Sequence, residues 1–356
     1  MEKMVSKLSE FYKDQTVLVT GHTGFKGSWL SVILHLLGAN VVGYSLNPPT
    51  DPNLFEIAGL NSILNSNIGD IRSLDHLKKV MDKYRPSIVF HLAAQPLVID
   101  SYNNPLYTYE TNVMGTLNLL EIIRTTNYVR SLVNITTDKV YKNNEWIWGY
   151  REDEELDGFD PYSNSKSCSE LITKTYKRAL ISDKVAISTV RAGNVIGGGD
   201  FSINRIVPDC MRALLNSTEI SIRNPNSIRP YQHVIEPLIA YLMIGYHQFL
   251  DIKFADSYNV GPLEQDCIST GNLVDLFCKY SYKPLSFKAI NISGPHEANF
   301  LKLDISKINS IIGFKPKWNI QKAVKKTIDW IECYEHNPEK IREIMYNQIN
   351  EYLNEE

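Results

Sequence analysis

Two runs in this chain carry residue types that do chemistry together: Gly21-His22-Thr23-Gly24-Phe25-Lys26-Gly27 near the start and Tyr162-Ser163-Asn164-Ser165-Lys166 well downstream. The first follows the β-like run Thr16-Val17-Leu18-Val19-Thr20 and opens a helical pattern, the setting in which glycines let a backbone approach a pyrophosphate. The second sets a phenol and an ammonium one helical turn apart on one face, so that the cation can stabilise a phenolate. A free phenol, with a pKa of about 10, is a poor base at neutral pH, but a nearby ammonium and a positive nicotinamide ring both favour its ionised form. With a hydroxyl at Thr136-Thr137, Tyr162 and Lys166 complete the set that alcohol oxidation by hydride transfer needs.

These residues need elements to hold them. Strand-like runs at 16–20, 41–44, 87–91, 131–136 and 185–190 alternate with helical patterns at about 24–37, 73–84, 107–127 and 163–180. That alternation predicts right-handed crossovers and an α/β fold, a Rossmann-type doubly wound parallel sheet with ligands at the carboxyl ends of its strands. After Arg191 the texture changes: Gly197-Gly198-Gly199-Asp200 marks a loop, and Pro208, Pro225, Pro230 and Pro237 punctuate the chain beyond it. We read residues 1–192, rejoined by 233–261, as the dinucleotide-binding domain, and 193–232 with 262–356 as a smaller mixed α/β substrate-binding lobe. The charged run from Pro338 to Glu356 reads as a solvated closing helix.

The cofactor set extends beyond the glycines. Gly69-Asp70-Ile71 is expected to end a third strand, where a carboxylate can accept from an adenine amine, and His91-Leu92-Ala93-Ala94-Gln95 to end the fourth with small residues that admit a ligand; Asn112 joins them. Where an acid normally takes the adenosine ribose hydroxyls stands Ser45-Leu46-Asn47. A hydroxyl and an amide bond more weakly than a carboxylate, which predicts modest affinity. No arginine stands there either, so NAD is expected ahead of NADP.

Composition narrows the partners. A net charge of −3 over 356 residues, with basic residues spread along the chain, offers no footprint for nucleic acid. No apolar run is long enough for a bilayer and no apolar leader segment is present, so a cytoplasmic protein is expected. Cys168, Cys210, Cys267, Cys278 and Cys333 are widely spaced without a CxxC pair, which argues against a disulfide framework and a zinc site; no metal is expected.

Over essentially its whole length the chain resembles the extended short-chain dehydrogenase/reductase superfamily. Within it, Gly21 to Trp29, Thr136-Thr137-Asp138-Lys139-Val140-Tyr141, Trp146 to Glu152, Arg229-Pro230-Tyr231-Gln232-His233-Val234 and His296-Glu297-Ala298 resemble the CDP-glucose-type 4,6-dehydratases. The resemblance implies that Tyr162 takes the proton of the sugar C4 hydroxyl while hydride passes to NAD, that water is then lost across C5 and C6, and that the hydride returns to C6. It implies Asp138 as the acid for the departing hydroxyl, provided enclosure keeps it protonated. Many 4,6-dehydratases place a glutamate after that aspartate as the C5 base; here Lys139 stands there, able to act as a base only when neutral, or else to orient Asp138 or a water. For the sugar nucleotide the resemblance implies Arg229 on the diphosphate, with Asn194, Arg205, His296 and Glu297 near the same ligand, and Tyr231 where a tryptophan is frequent. It also implies a homodimer or homotetramer, with Leu117, Leu120 and Ile172 facing a twofold axis. A 4-epimerase would share the glycines, tyrosine and lysine but needs no Asp138-Lys139 pair.

Overall fold

A computed structural model describes residues 2–290 and 299–355. The strand sequences choose their places in its sheet. β1 (Thr16–Thr20), β2 (Asn40–Ser45), β3 (Asn65–Ile68), β4 (Ile88–His91), β5 (Ser131–Ile135) and β6 (Ala186–Ala192) are joined, after the short strands β7 (Val195–Ile196), β8 (Ile220–Ile222), β9 (Ile228–Arg229) and β10 (Gln232–His233), by β11 (Ser257–Val260). The seven longer strands form one parallel sheet in the order β11-β6-β5-β4-β1-β2-β3. Strands β4, β5 and β6 are buried on both faces, as parallel strands covered by helices must be. The doubly wound fold expected from the alternating pattern is therefore present. Its strand order reverses at β1, which pairs β2 on one side and β4 on the other, and the crevice of such a fold opens there, beyond the strands' carboxyl ends.

Helices cover both faces. They are α1 (Glu2–Tyr12), α2 (Phe25–Leu36), α3 (Leu54–Ile57), α4 (Leu74–Tyr84), α5 (Val98–Asn103), α6 (Pro105–Tyr109), α7 (Gly115–Thr125), α8 (Pro161–Thr175), α9 (Ile206–Asn216), α10 (Ile235–Leu250), α11 (Thr270–Tyr280), α12 (Ser306–Ile312), α13 (Ile320–His336) and α14 (Ile341–Asn354). On one face, Tyr12 of α1, Trp29 and Ile33 of α2, Leu238 and Leu242 of α10 and Ile349 of α14 share the larger core. On the other, Leu77 and Met81 of α4 pack with Leu119, Leu120 and Ile123 of α7. Each such side chain stabilises by about 1.5–3 kcal/mol on full burial. Short pairs β10-β7, β9 with β12 (Ile268–Ser269), and β8 with β13 (Phe287–Ala289) build the region downstream of β6.

Four expectations change. The third strand ends at Ile68, so Asp70 and Ile71 lie beyond it. The helix expected over 107–127 is α6, a π-helical turn at Glu110–Met114, and α7. The closing helix is not merely solvated, because Ile341, Met345, Ile349 and Tyr352, at i, i+4, i+8 and i+11, put one face of α14 into the larger core. Leu120 is likewise buried and cannot face a partner; exposed apolar residues on neighbouring segments include Leu106, Met114 and Leu171.

Candidate active site

β1 ends at Thr20 and the chain turns at Gly21, whose φ of +76° and close approach to the next loop exclude a side chain: a Cβ there would lie 2.8 Å from Ala93 N. At Gly27 a Cβ would overlap Gly21 O. Gly24 differs, since a Cβ there would meet nothing nearer than Gly21 O at 3.5 Å. It caps α2 without a side-chain hydrogen bond, so the first-turn N–H groups of Phe25, Lys26 and Gly27 face an open cradle at the positive end of a helix. That arrangement fits a diphosphate.

Around it the expected cofactor residues divide. His22 turns inward, wholly buried over Gly43 with Nε2 2.8 Å from Ser66 Oγ, and burial lowers its pKa to about 4. Only its main chain remains for the cradle. Thr23 donates to Leu46 O at 2.9 Å and lies 2.8 Å from Ser45 Oγ, fastening the loop to the end of β2. The Asp70 carboxylate accepts from Arg72 Nε, a terminal nitrogen and the Arg72 main-chain N–H, and the guanidinium holds it below the ordinary carboxylate range. Ile71 packs in the core against Gly115, so its side chain is not in the crevice. Leu92 and Ala93 give their N–H groups to Thr20 Oγ1, and with half-buried Ala94 they form the wall beyond β4. Gln95 and Asn112 clip together, Gln95 N donating to Asn112 Oδ1 at 2.8 Å and Asn112 Nδ2 to Gln95 O at 3.1 Å and Ser165 Oγ at 2.9 Å. The Asn112 amide is spent tying that wall to α8, and the Gln95 amide donates to Leu97 O and Thr108 Oγ1, so neither is offered to a ligand.

α8 starts where its sequence dictates. Pro161 occupies the first turn, and Asp160 caps it by accepting from Ser163 N at 3.0 Å and Ser163 Oγ at 2.6 Å. Tyr162 and Lys166 follow on one face. Lys166 is buried, donates from Nζ to Ile135 O at 3.2 Å, and has its pKa lowered to about 7, first by burial and then by Lys26, with Glu170 opposing. Burial raises the Tyr162 phenol to about 12; Thr137 and Arg205 pull it down, while Asp138 and Asp160 push it up. Arg205 thus acts on the phenol from outside the helix, a contribution that helix spacing did not disclose.

Asp138 opens a short 3-10 turn (Asp138–Val140) after β5 and is 2 % exposed. Oδ1 accepts from Thr137 Oγ1 at 3.0 Å, and among the described residues Oδ2 has no partner. Burial raises its pKa, against the opposing pull of Lys139, Thr137 and Arg229. A carboxyl so placed keeps its proton to higher pH than a free one and presents an unsatisfied oxygen, both of which favour a general acid. Lys139 is half-buried on the same turn.

The distant segments converge here. Arg229 is buried beside Asp138, its terminal nitrogen donating to Ile228 O at 2.9 Å. Arg205 pairs with buried Asp200 at 3.0 Å and reaches Tyr162 and Lys26. Lys26 leans over from the glycine loop towards Asp138 and Asp200, its pKa lowered to about 8 by burial and by Arg205. Asn194 is half-buried and accepts at its main-chain oxygen from Gln232 N at 2.9 Å. Tyr231 is buried with its hydroxyl 2.9 Å from Thr270 Oγ1. His296 and Glu297 lie outside the described residues. Asp200, Glu170 and Arg191 were not singled out from the sequence, although a charged residue inside the otherwise uncharged β6 was a legible signal for Arg191.

Comparison with known proteins points the same way. The family model described as GDP-mannose 4,6 dehydratase matches residues 18–327. A curated relative from Salmonella typhimurium, named CDP-glucose 4,6-dehydratase, is 45% identical over 331 residues, covering 91% of this chain and 92% of the relative. Among solved structures, the UDP-glucose 4-epimerase of Thermotoga maritima superposes with a TM-score of 0.76 at 22% identity, covering 89% of this chain and 99% of that one. The dTDP-glucose 4,6-dehydratase of Bacillus anthracis, solved with NAD, does so with a TM-score of 0.75 at 19% identity, covering 93% and 99%.

Proposed function

The chain belongs to the GDP-mannose 4,6-dehydratase family, and on that premise we propose that it is an NAD-dependent CDP-glucose 4,6-dehydratase, a carbon–oxygen lyase converting CDP-D-glucose to CDP-4-keto-6-deoxy-D-glucose and water. The observation that carries the reaction type is the buried Asp138 carboxyl, its proton affinity raised by enclosure and its Oδ2 unpartnered among the described residues, near the Tyr162 phenol. An epimerase has no hydroxyl to expel and no use for it.

Bound in this groove, NAD would supply a hydride acceptor for sugar C4 and a hydride donor for C6. The residues of the chain do the rest. The cradle at Gly24 and the α2 N-terminus holds the cofactor diphosphate, with Ser45, Asp70 and the Leu92–Ala94 wall towards the adenosine and nicotinamide sides. Tyr162 accepts the C4 hydroxyl proton, helped by Thr137, Arg205 and the positive charge of the occupied groove. Lys166, with a pKa near neutrality and anchored to Ile135 O, relays that proton. The 4-ketone acidifies C5–H; Lys139 takes that proton when its amine is neutral and returns it to C5 as hydride reaches C6, and otherwise fixes the Asp138 carboxyl. Asp138 gives its proton to the leaving C6 hydroxyl. Arg229 and Arg205, with Asn194, His296 and Glu297, serve the sugar-nucleotide side, carried by residues 193–232 and 262–356 as a substrate lobe.

The reading extends to a cytoplasmic homo-oligomer on a route to deoxysugars of surface polysaccharide such as lipopolysaccharide O-antigen. It is supported by the exposed apolar residues Leu106, Met114 and Leu171 on neighbouring segments, and by the finding that among the described residues no helix is long and apolar enough to cross a membrane.

Incubation with CDP-, dTDP-, GDP- and UDP-hexoses tests it. CDP-glucose is expected to give the alkali-induced ultraviolet absorbance of a 4-keto-6-deoxy sugar without external reductant; turnover of another base in its place would overturn the substrate assignment. Gly24→Ala checks the cradle. Its backbone lies at φ −80°, so the fold should hold, while NAD affinity should fall on the order of ten-fold. Unchanged NAD affinity would move the diphosphate elsewhere.

A further inference from the structure

The stripe that carries Tyr162 and Lys166 does not end with them. One more turn along α8 comes Glu170, at i+8 from the tyrosine and pointing into the protein, its side chain 2 % exposed. It accepts four hydrogen bonds: from Thr136 Oγ1 at 2.6 Å, Thr189 Oγ1 at 2.6 Å, and Arg191 Nε and a terminal nitrogen at 3.0 Å each. The second terminal nitrogen of Arg191, whose side chain is 3 % exposed, donates to Tyr141 OH at 2.8 Å and Glu152 O at 2.9 Å, and its guanidinium lies 4.9 Å over the Tyr141 ring. Tyr141 in turn donates to Asn259 Oδ1 of β11 at 2.6 Å. Thr136 and Tyr141 are the two ends of the Thr137-Asp138-Lys139 turn, and Ser167 Oγ adds a bond from α8 to Val140 O at 2.7 Å.

We propose that Glu170, with Arg191 as its counter-ion, is a positioning residue that sets the distance between Asp138 on the turn and Tyr162 on the helix. The inference rests on the dehydratase reading. That reaction asks two groups to work on one sugar at different carbons, Tyr162 at C4 and Asp138 at C6, from elements that are far apart in the chain. One ion pair grips both ends of the turn and the helix beneath it, so neither group shifts without the other. The charge matters because a carboxylate offers two acceptor oxygens to four donors, whereas an amide offers one and turns an N–H towards Arg191. Neither residue contacts a reacting atom; both act through the turn.

Loss of the clamp should therefore loosen Asp138 and leave Tyr162 and Lys166 on a helix still capped by Asp160. Glu170→Gln alone strands a buried guanidinium, so Glu170→Gln/Arg191→Met, which removes both charges, is made beside it. In the full chain with CDP-glucose, both are expected to lose about 10²-fold in kcat with KM within about two-fold. In single turnover the near-ultraviolet absorbance of reduced nicotinamide should still rise, its rate changed far less than kcat and only through the lost pull of the Glu170 charge on Lys166, and then persist, because loss of water is slowed. The double variant should recover thermal stability and not kcat. Recovery of kcat together with stability would show a structural pair only and overturn the proposal, as would slowing of both phases by one common factor. Failure of the wild-type chain to form any 4-keto-6-deoxy product would overturn the dehydratase reading itself and this inference with it.

Discussion

Tyr162→Phe is expected to lower kcat on CDP-glucose by about 10³-fold while leaving NAD bound. The substitution removes one oxygen and keeps the ring, and the start of α8 is fixed by Asp160 and Pro161, not by the phenol. The glycine cradle lies on another element and should be untouched. In the free protein burial holds the phenol at about 12, so its ionised fraction grows as pH rises, and wild-type kcat/KM should climb with pH on the acid side of the optimum. The phenylalanine variant should lack that climb. Measured kcat within a factor of about ten of wild type would remove Tyr162 as the C4 base.

Asp138→Asn should fail at a different step. Product formation is expected to fall by about 10²–10⁴-fold, the range for a lost general acid, while reduced nicotinamide still forms in single turnover. Because burial raises the Asp138 pKa in the fold, the protonated form is the one the fold prefers. Its contribution to stability is complete below the unfolded value of about 3.9 and is lost as pH rises through the folded value. At neutral pH the native carboxyl is thus a burden the amide lacks, so the variant should melt at the same or higher temperature than wild type, a gap that closes as pH falls. Wild-type elimination should slow as pH rises through the same folded pKa. A variant unable to reduce NAD at all would place Asp138 in the first step, and a lower melting temperature at neutral pH would contradict the enclosure on which the assignment stands.

Much of this was legible in residue order. The strand-glycine-helix succession of Thr16 to Leu36 is local, and the same short-range rules that make it recognisable also build it. Tyr162 and Lys166 share a face because any helix puts them there. His22, Ile71, Gln95 and Asn112 show the opposite case. Each sits in a motif beside the crevice, yet His22 and Ile71 turn into the core, the Asn112 amide closes on the Gln95 main chain and Ser165, and the Gln95 amide donates to Leu97 O and Thr108 Oγ1, outcomes set by partners up to 53 residues away such as Ser165. The closing helix shows it too, since a charged run concealed four residues that complete a core begun by α2 and α10.

The chain order by itself determined the doubly wound sheet, the cradle and the tyrosine–lysine stripe, because periodicity, glycine geometry and helix pitch act over a few residues. Only the tertiary structure decided which charges meet. Arg205 against Tyr162, Arg229 against Asp138, Lys26 against Lys166 and Arg191 against Glu170 join segments that no local pattern links. Their effect on proton affinity depends on burial and distance in space, neither of which is written in sequence spacing.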